Sequence, residues 1–300
     1  MTALIEVPQS FDDRAFEQFA AAFAAAPTGT RVLIDAHACE WASPFGLVGL
    51  LCAGQALVER HGAKPLLTAP ADKEVATYWA RTGFFRQAEE LFEIHGTVPR
   101  AKPPEDTAVL LEVRPVRVAG DVHTIVDLIQ ERATAILTAA LGLEAKATVG
   151  FGMALSEACQ NIVEHAGTGG WVAVHAYTWR RRLGRRVVVI AVADAGVGFR
   201  QSLEATQAAL FGDRWGDGRA LEAAFIHGVS RFRDPGRGQG LRGIRRWLDR
   251  WGGKMSIRSG TARIAMVPPW DEDAVLKEGL PVFPGAQLQI LIPAATQEAQ

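Results

Sequence analysis

Apolar residues recur along this chain in two alternating patterns. Within Phe11–Ala26, Phe16, Phe19 and Phe23 stand three and four residues apart, the spacing of one helical face. Pro27 and Gly29 end that pattern. Short apolar runs at Ala3–Val7, Arg31–Ala36 and Pro65–Thr68 predict strands. Pro44–His61 predicts a helix closed by Gly62, and Asp72–Arg81 a helix capped by the Asp72 carboxylate. Strands alternating with helices predict a mixed α/β layer.

The segment "HGTVPRAKPPEDT", His95–Thr107, holds three prolines and one glycine among mixed charges, which marks a linker. The reading therefore divides the chain near residue 105, into 1–104 and 105–300. Beyond the linker the pattern predicts a strand at Ala108–Val113 and helices at about Val122–Leu141 and Ala147–His165. Trp171–Trp179 and Arg186–Ala193 read as a hairpin with Gly184 in its turn. Asp194–Gly240 is a long polar, glycine-rich stretch with an amphipathic piece near Ala220–His227. A helix at Leu241–Trp251 follows, then strands near Lys254–Arg258, Ala262–Val267 and Gln287–Ile292. The expected class is α/β (α+β) in two domains.

Composition adds bounds. Three hundred residues with 48% hydrophobic and 22% charged content suit a soluble globular chain with its own cores. A net charge of −1 argues for neither an anionic membrane nor a nucleic acid partner. Two basic segments, "WRRRLGRR" and "RGIRRW", read as a solvated hairpin tip and an exposed helix face, so no nucleic acid partner is expected. Cys39, Cys52 and Cys159 are scattered among apolar neighbours, as buried reduced thiols would be. The start Met1–Pro8 lacks a signal-peptide pattern, and no apolar run is long enough to span a bilayer. A cytoplasmic location is expected.

Chemistry concentrates in three places. In "LSEACQNIVEHAG", Leu155–Gly167, residues Glu157, Asn161 and His165 follow one another at intervals of four. On a helix they form a slanting polar ridge beside the apolar face of Leu155, Ala158 and Ile162. In "VADAGVGF", Val192–Phe199, an apolar run ends in Asp194, and Gly196 and Gly198 follow it. A carboxylate there can accept an exocyclic N–H, and glycines allow close approach to the backbone. In "PGRGQGLRGI", Pro235–Ile244, Gly236, Gly238 and Gly240 alternate before a helix opening with Leu241, an arrangement suited to phosphate. Each pattern alone is also common in amphipathic helices and ordinary turns.

Together and in this order, the three resemble the N, G1 and G2 boxes of the GHKL ATP-binding superfamily, which includes gyrase and the histidine kinases. The N box is most similar to that of the anti-sigma-factor serine kinases. The resemblance spans roughly Ala108–Pro293. It implies a Bergerat fold, a mixed sheet backed by helices with a mobile lid, binding ATP and Mg²⁺. It implies that Asn161 ligates the metal and that Glu157 positions or deprotonates the attacking hydroxyl or water. Asp194 would hold adenine, with room made by Gly196 and Gly198. Gly236, Gly238, Gly240 and Leu241 would close the lid on the phosphates, and His165 would stand at the rim. One departure is visible: Gly285-Ala286 stands where the family carries Gly-Thr, so a hydroxyl is missing. An insertion with four prolines, Thr261–Pro284, precedes it.

The N-terminal part, about Ala3–Glu90, resembles the STAS domain of anti-sigma-factor antagonists through "VLIDAHACEWASPFGLVGLLCAG". The family's phosphoacceptor serines fall at Pro44 and Phe45 here; Ser43 is one residue early and reads first as a helix N-cap. The resemblances imply an ATP-binding regulator that phosphorylates Ser or Thr on a partner, such as a sigma-factor regulator or STAS-type antagonist, with a homodimer possible. The alternatives are an ATP-hydrolysing switch without kinase activity and a nucleotide-binding scaffold.

Overall fold

A computed structural model describes residues 2–100, 109–135, 137–138, 141–144, 147–180, 183–229 and 240–295. In the first hundred residues β1 (Thr2–Glu6), β3 (Arg31–Asp35), β5 (Leu66–Thr68) and β6 (Glu93–His95) form a parallel sheet in that spatial order. Two short strands, β2 (Ser10–Phe11) and β4 (Trp41–Ala42), pair beside it. Helix α1 is Phe16–Ala25, shorter than the apolar pattern suggested, because Phe11 is drawn into β2. Helices α3 (Lys73–Arg81) and α4 (Phe84–Leu91) complete this part. Asp72 caps α3 by accepting from the Glu74 and Val75 amides at 2.7 and 3.0 Å.

Helix α2 spans Pro44–His61 and stops at Gly62, whose φ of 68° is left-handed. Ser43 caps it, accepting from the Gly46 amide at 3.1 Å while its hydroxyl donates to the Phe11 carbonyl. It is 1% exposed. Nearly every residue from Pro44 to Leu57 is buried, and a helix apolar all round belongs inside a protein. Glycines notch it: a Cβ at Gly46, Gly49 or Gly54 would strike Phe11, Phe16 or Phe92.

The second sheet has seven strands: β7 (Val109–Val116), β8 (Gly170–Thr178), β9 (Arg186–Asp194), β10 (Lys254–Gly260), β11 (Ala262–Met266), β12 (Leu276–Lys277) and β13 (Phe283–Pro293). Their spatial order is β12-β11-β10-β13-β9-β8-β7, with antiparallel pairing throughout. Parallel and antiparallel pairings are thus segregated into separate sheets of one α/β chain. One face carries α5 (Ala119–Ala135), α6 (Ala147–Asn161), α7 (Gly198–Phe211), α8 (Asp217–Phe225) and α9 (Gly240–Arg250). Val172, Val174, Val188, Ile190, Ile257 and Ile290 point into that core.

The opposite face is covered by the first hundred residues. Trp171, Ala173, Ala191 and Ala193 join the core built around α1 and α2. Small alanines let α2 lie close on β8 and β9, and burial of both faces accounts for the unbroken apolar run of β9. On β10 the alternation is sharper. Met255 and Ile257 face the helices, while Lys254, Ser256 and Arg258 lie buried on the other face. Arg258 pairs with Glu17, and Lys254 with Asp271 and Asp273 at 2.9 and 2.8 Å.

The proline-rich insertion has a structural role. Asp271 and Asp273 neutralise Lys254, the Pro281 carbonyl accepts from Arg258, and Phe283 stands 4.9 Å from the rings of both Phe16 and Phe23. It straps the N-terminal residues to the large sheet. In the stretch from Asp194 to Gly240, α8 covers most of the amphipathic piece expected near Ala220–His227, while α7 stands where only a polar, glycine-rich segment was expected; residues 230–239, with Gly236 and Gly238, lie outside the described residues. So do the centre of the expected linker, residues 101–108, and Arg181-Arg182 of the hairpin.

Candidate functional site

Helix α6 delivers the polar ridge. Its α-geometry stops at Asn161, and Ile162–Ala166 forms a π turn closed by Gly167 at φ 74°. A ladder of i→i+5 bonds turns less per residue, so His165 drifts less from Asn161 than the roughly 40° per four residues of an α-helix. The π turn ends on the loop after β9: the Ala166 carbonyl accepts from the Val197 amide at 3.0 Å. Gly196 must be glycine here, because a Cβ would collide with that carbonyl. Gly198, with φ 71°, fits against Ser259 and Gly285 in the same way. The room these glycines make is filled at least partly by protein backbone.

Asp194 ends β9 and is 6% exposed. Its carboxylate accepts from the Gly196 amide at 2.8 Å and also from the Ala286 amide. Burial raises its pKa to about 6, against the lowering effect of those two N–H groups. At neutral pH it is therefore ionised and an acceptor. Gly285, at φ 70°, lies so close that a Cβ would strike both the Asp194 carbonyl and its carboxylate.

Asn161, His165 and Asp194 line one cavity, together with Gly198, Phe199, Ser202 and Ala286. Ala158, Ile162, Val192, Ile257 and Leu288 supply its apolar walls. A flat apolar ring carrying an N–H donor matches that chemistry. Residues 122–254 match the histidine kinase-like ATPase domain family. The matched segment runs from within α5 to the first residue of β10 and contains Glu157, Asn161, His165, Asp194 and Gly198. It covers less than half of the chain; Gly285, Ala286 and the whole first sheet lie outside it. No curated protein and no solved structure matches the chain.

The cavity, lined partly by the matched segment and partly by Ile257, Ala286 and Leu288 beyond it, measures about 40 Å³, room for a few waters. A purine ring requires the start of α7, with Phe199 and Ser202, to draw back. His165 stands at that moving edge, its Nδ1 3.2 Å from the Ser202 hydroxyl. Glu157 is exposed one helical turn before Asn161 and does not line the cavity. Burial and then the neighbouring Glu164 raise its pKa above the ordinary carboxylate value. Gly240 opens α9, and Leu241 is 7% exposed within the core under the helices.

Phe199, Ser202 and Ile257 escaped the sequence reading. Phe199 and Leu203 stand four apart in a stretch without glycine or proline from Phe199 to Phe211, so a signal for α7 was present. Ile257 carries no local mark; only sheet register brings it to the cavity. Among the described residues no group of three His, Cys, Asp or Glu gathers to hold a metal, and no helix is long and apolar enough to cross a membrane.

Proposed function

We propose that this chain is an ATP-dependent regulator that binds Mg-ATP in the α6–β9 cavity and transfers the terminal phosphoryl group to a hydroxyl on a protein partner. One observation carries the reading: Asn161, His165 and Asp194, 33 residues apart at the extremes, share one cavity within a segment that matches the histidine kinase-like ATPase family. Bound Mg-ATP would supply the phosphoryl group and a divalent charge.

The chain's own residues would do the rest. The Asp194 carboxylate accepts the exocyclic N–H of the purine, held in place by two backbone amides. The apolar walls grip the ring faces and exclude water. Asn161 would hold the magnesium ion through its amide oxygen, and the ion would supply positive charge beside the phosphates. Glu157, with its raised pKa, accepts the proton of the attacking hydroxyl. Gly240 and Leu241 at the start of α9, with Gly236 and Gly238 preceding them in sequence, would hold the phosphates. Such chemistry asks mainly for positioning and charge neutralisation.

Residues 1–104 would act as a built-in STAS-like regulatory domain, a reading supported by the packing of residues between Ile5 and Ile94 on the large sheet face opposite the cavity. Ser43 is not the phosphate acceptor of this domain, since it is 1% exposed and engaged as a helix cap. The partner is a separate hydroxyl-bearing protein of the sigma-regulator or STAS-antagonist class, or a second copy of the chain. A second reading is an ATP-gated switch without transfer to protein. It is favoured by the small cavity, which has to open before a nucleotide enters.

Calorimetric titration of the full chain with Mg-ATP, followed by phosphate-release and phosphoprotein assays, separates these readings. Binding lost in Asp194→Asn supports the site; a wild-type chain that takes up no nucleotide overturns it. Phosphate release without a labelled protein selects the switch.

A further inference from the structure

At the other end of β9, nine residues and so about 25 Å from Asp194, the fold assembles a second cavity. Its volume is about 780 Å³. It is bounded by the turn of the β8–β9 hairpin, the end of α9, the turn around Trp270 and the last described residues after β13. Trp251, Trp270, Arg185 and Arg250 line it, and among the described residues no acidic side chain does. Arg185, from the first basic segment of the sequence, and Arg250, at the end of the helix that carries the second, meet here.

Trp251 and Trp270, each partly exposed in the cavity wall, belong to two separate indole pairs. Trp251 lies 5.8 Å from Trp247, and Trp270 lies 6.4 Å from Trp179. Trp270 is fixed by its indole N–H to the Gly252 carbonyl at 2.6 Å. The Arg250 guanidinium sits 5.4 Å over the Trp247 ring, and Arg185 reaches the Ala294 carbonyl at 3.3 Å. Asp271, the acid beside Trp270, is turned away to Lys254.

We infer that this Trp/Arg cavity binds single-stranded nucleic acid. Bases have flat π faces that stack on partly exposed indoles, and phosphates pair with arginines; a strand uses both features. An acidic peptide would use the arginines and leave the indoles idle, and a proline-rich peptide would do the reverse. The cavity is a different site from the nucleotide pocket, and the inference holds whether or not ATP binds there.

The test is fluorescence anisotropy of the full chain with a labelled oligouridylate about twelve nucleotides long, in low salt. The expected result is binding that quenches tryptophan emission, weakens steeply with added salt and falls about tenfold in Arg250→Glu. Arg185→Ser should weaken it further, and melting curves of both variants should match the parent. No binding at about 100 µM protein overturns the inference. So does binding unchanged in both folded variants, or equal competition by polyglutamate.

Discussion

Arg258 on β10 and Glu17 on α1, separated by 241 positions in sequence, meet as a two-pronged ion pair, with Nε and Nη2 each 3.1 Å from a carboxylate oxygen. Arg258 is 1% exposed, lies 5.7 Å from the Phe16 and Phe283 rings, and donates further to the Gly260 and Pro281 carbonyls. The pair ties the N-terminal helix to the sheet that carries the nucleotide cavity.

Removing one partner from a buried pair costs about 3–5 kcal/mol because the other charge stays buried. Glu17 keeps part of its side chain in water, which lowers the figure. Glu17→Gln should therefore destabilise the chain by about 2 kcal/mol in urea unfolding, and Arg258→Met should cost less than Arg258→Ala.

His175 is buried beneath α3 with its Nδ1 2.9 Å from the Tyr78 hydroxyl, and burial lowers its pKa to about 3. Because the folded value lies below the unfolded one, the unfolded chain binds the extra proton. The stabilising contribution is complete above about pH 6.5 and is lost as pH falls toward 3. Asp13 and Asp194, both raised to about 6, work in the opposite sense across 3.8 to 6. The His175 part is isolated by difference. Between pH 8 and pH 5 the parent should lose about 2 kcal/mol relative to His175→Gln, measured by urea unfolding at each pH.

Asp194 holds a charge in a buried site, so its contribution is complete below pH 3.8 and lost as pH rises through about 6. Asp194→Asn should stabilise the nucleotide-free chain at pH 7.5 by up to about 3 kcal/mol while abolishing Mg-ATP binding. Thermal melts with and without Mg-ATP read both effects: a higher melting temperature, no longer raised by nucleotide.

Ser43→Ala removes the α2 cap and should cost about 1 kcal/mol, seen as a lower denaturant midpoint. Under phosphorylating conditions, mass spectrometry of the folded chain should find no phosphate on Ser43.

The sequence by itself determined what depends on near neighbours. The Ser43 cap, the Gly62 stop and the Asp72 cap follow from side-chain and backbone bonds within a few residues. The polar ridge of α6 and the carboxylate at the end of β9 were readable for the same reason, since helix and strand periodicity is local. Tertiary structure alone decided the rest. The π turn after Asn161, the closure of the cavity by α7 and the choice of Ile257 as its wall depend on how sheet and helices pack. Polar residues alternate with apolar ones along β10 and β13, yet both faces are buried, because residues 2–95 and the insertion cover the polar side of the sheet. Alternation says which residues share a face; only long-range packing says what that face meets.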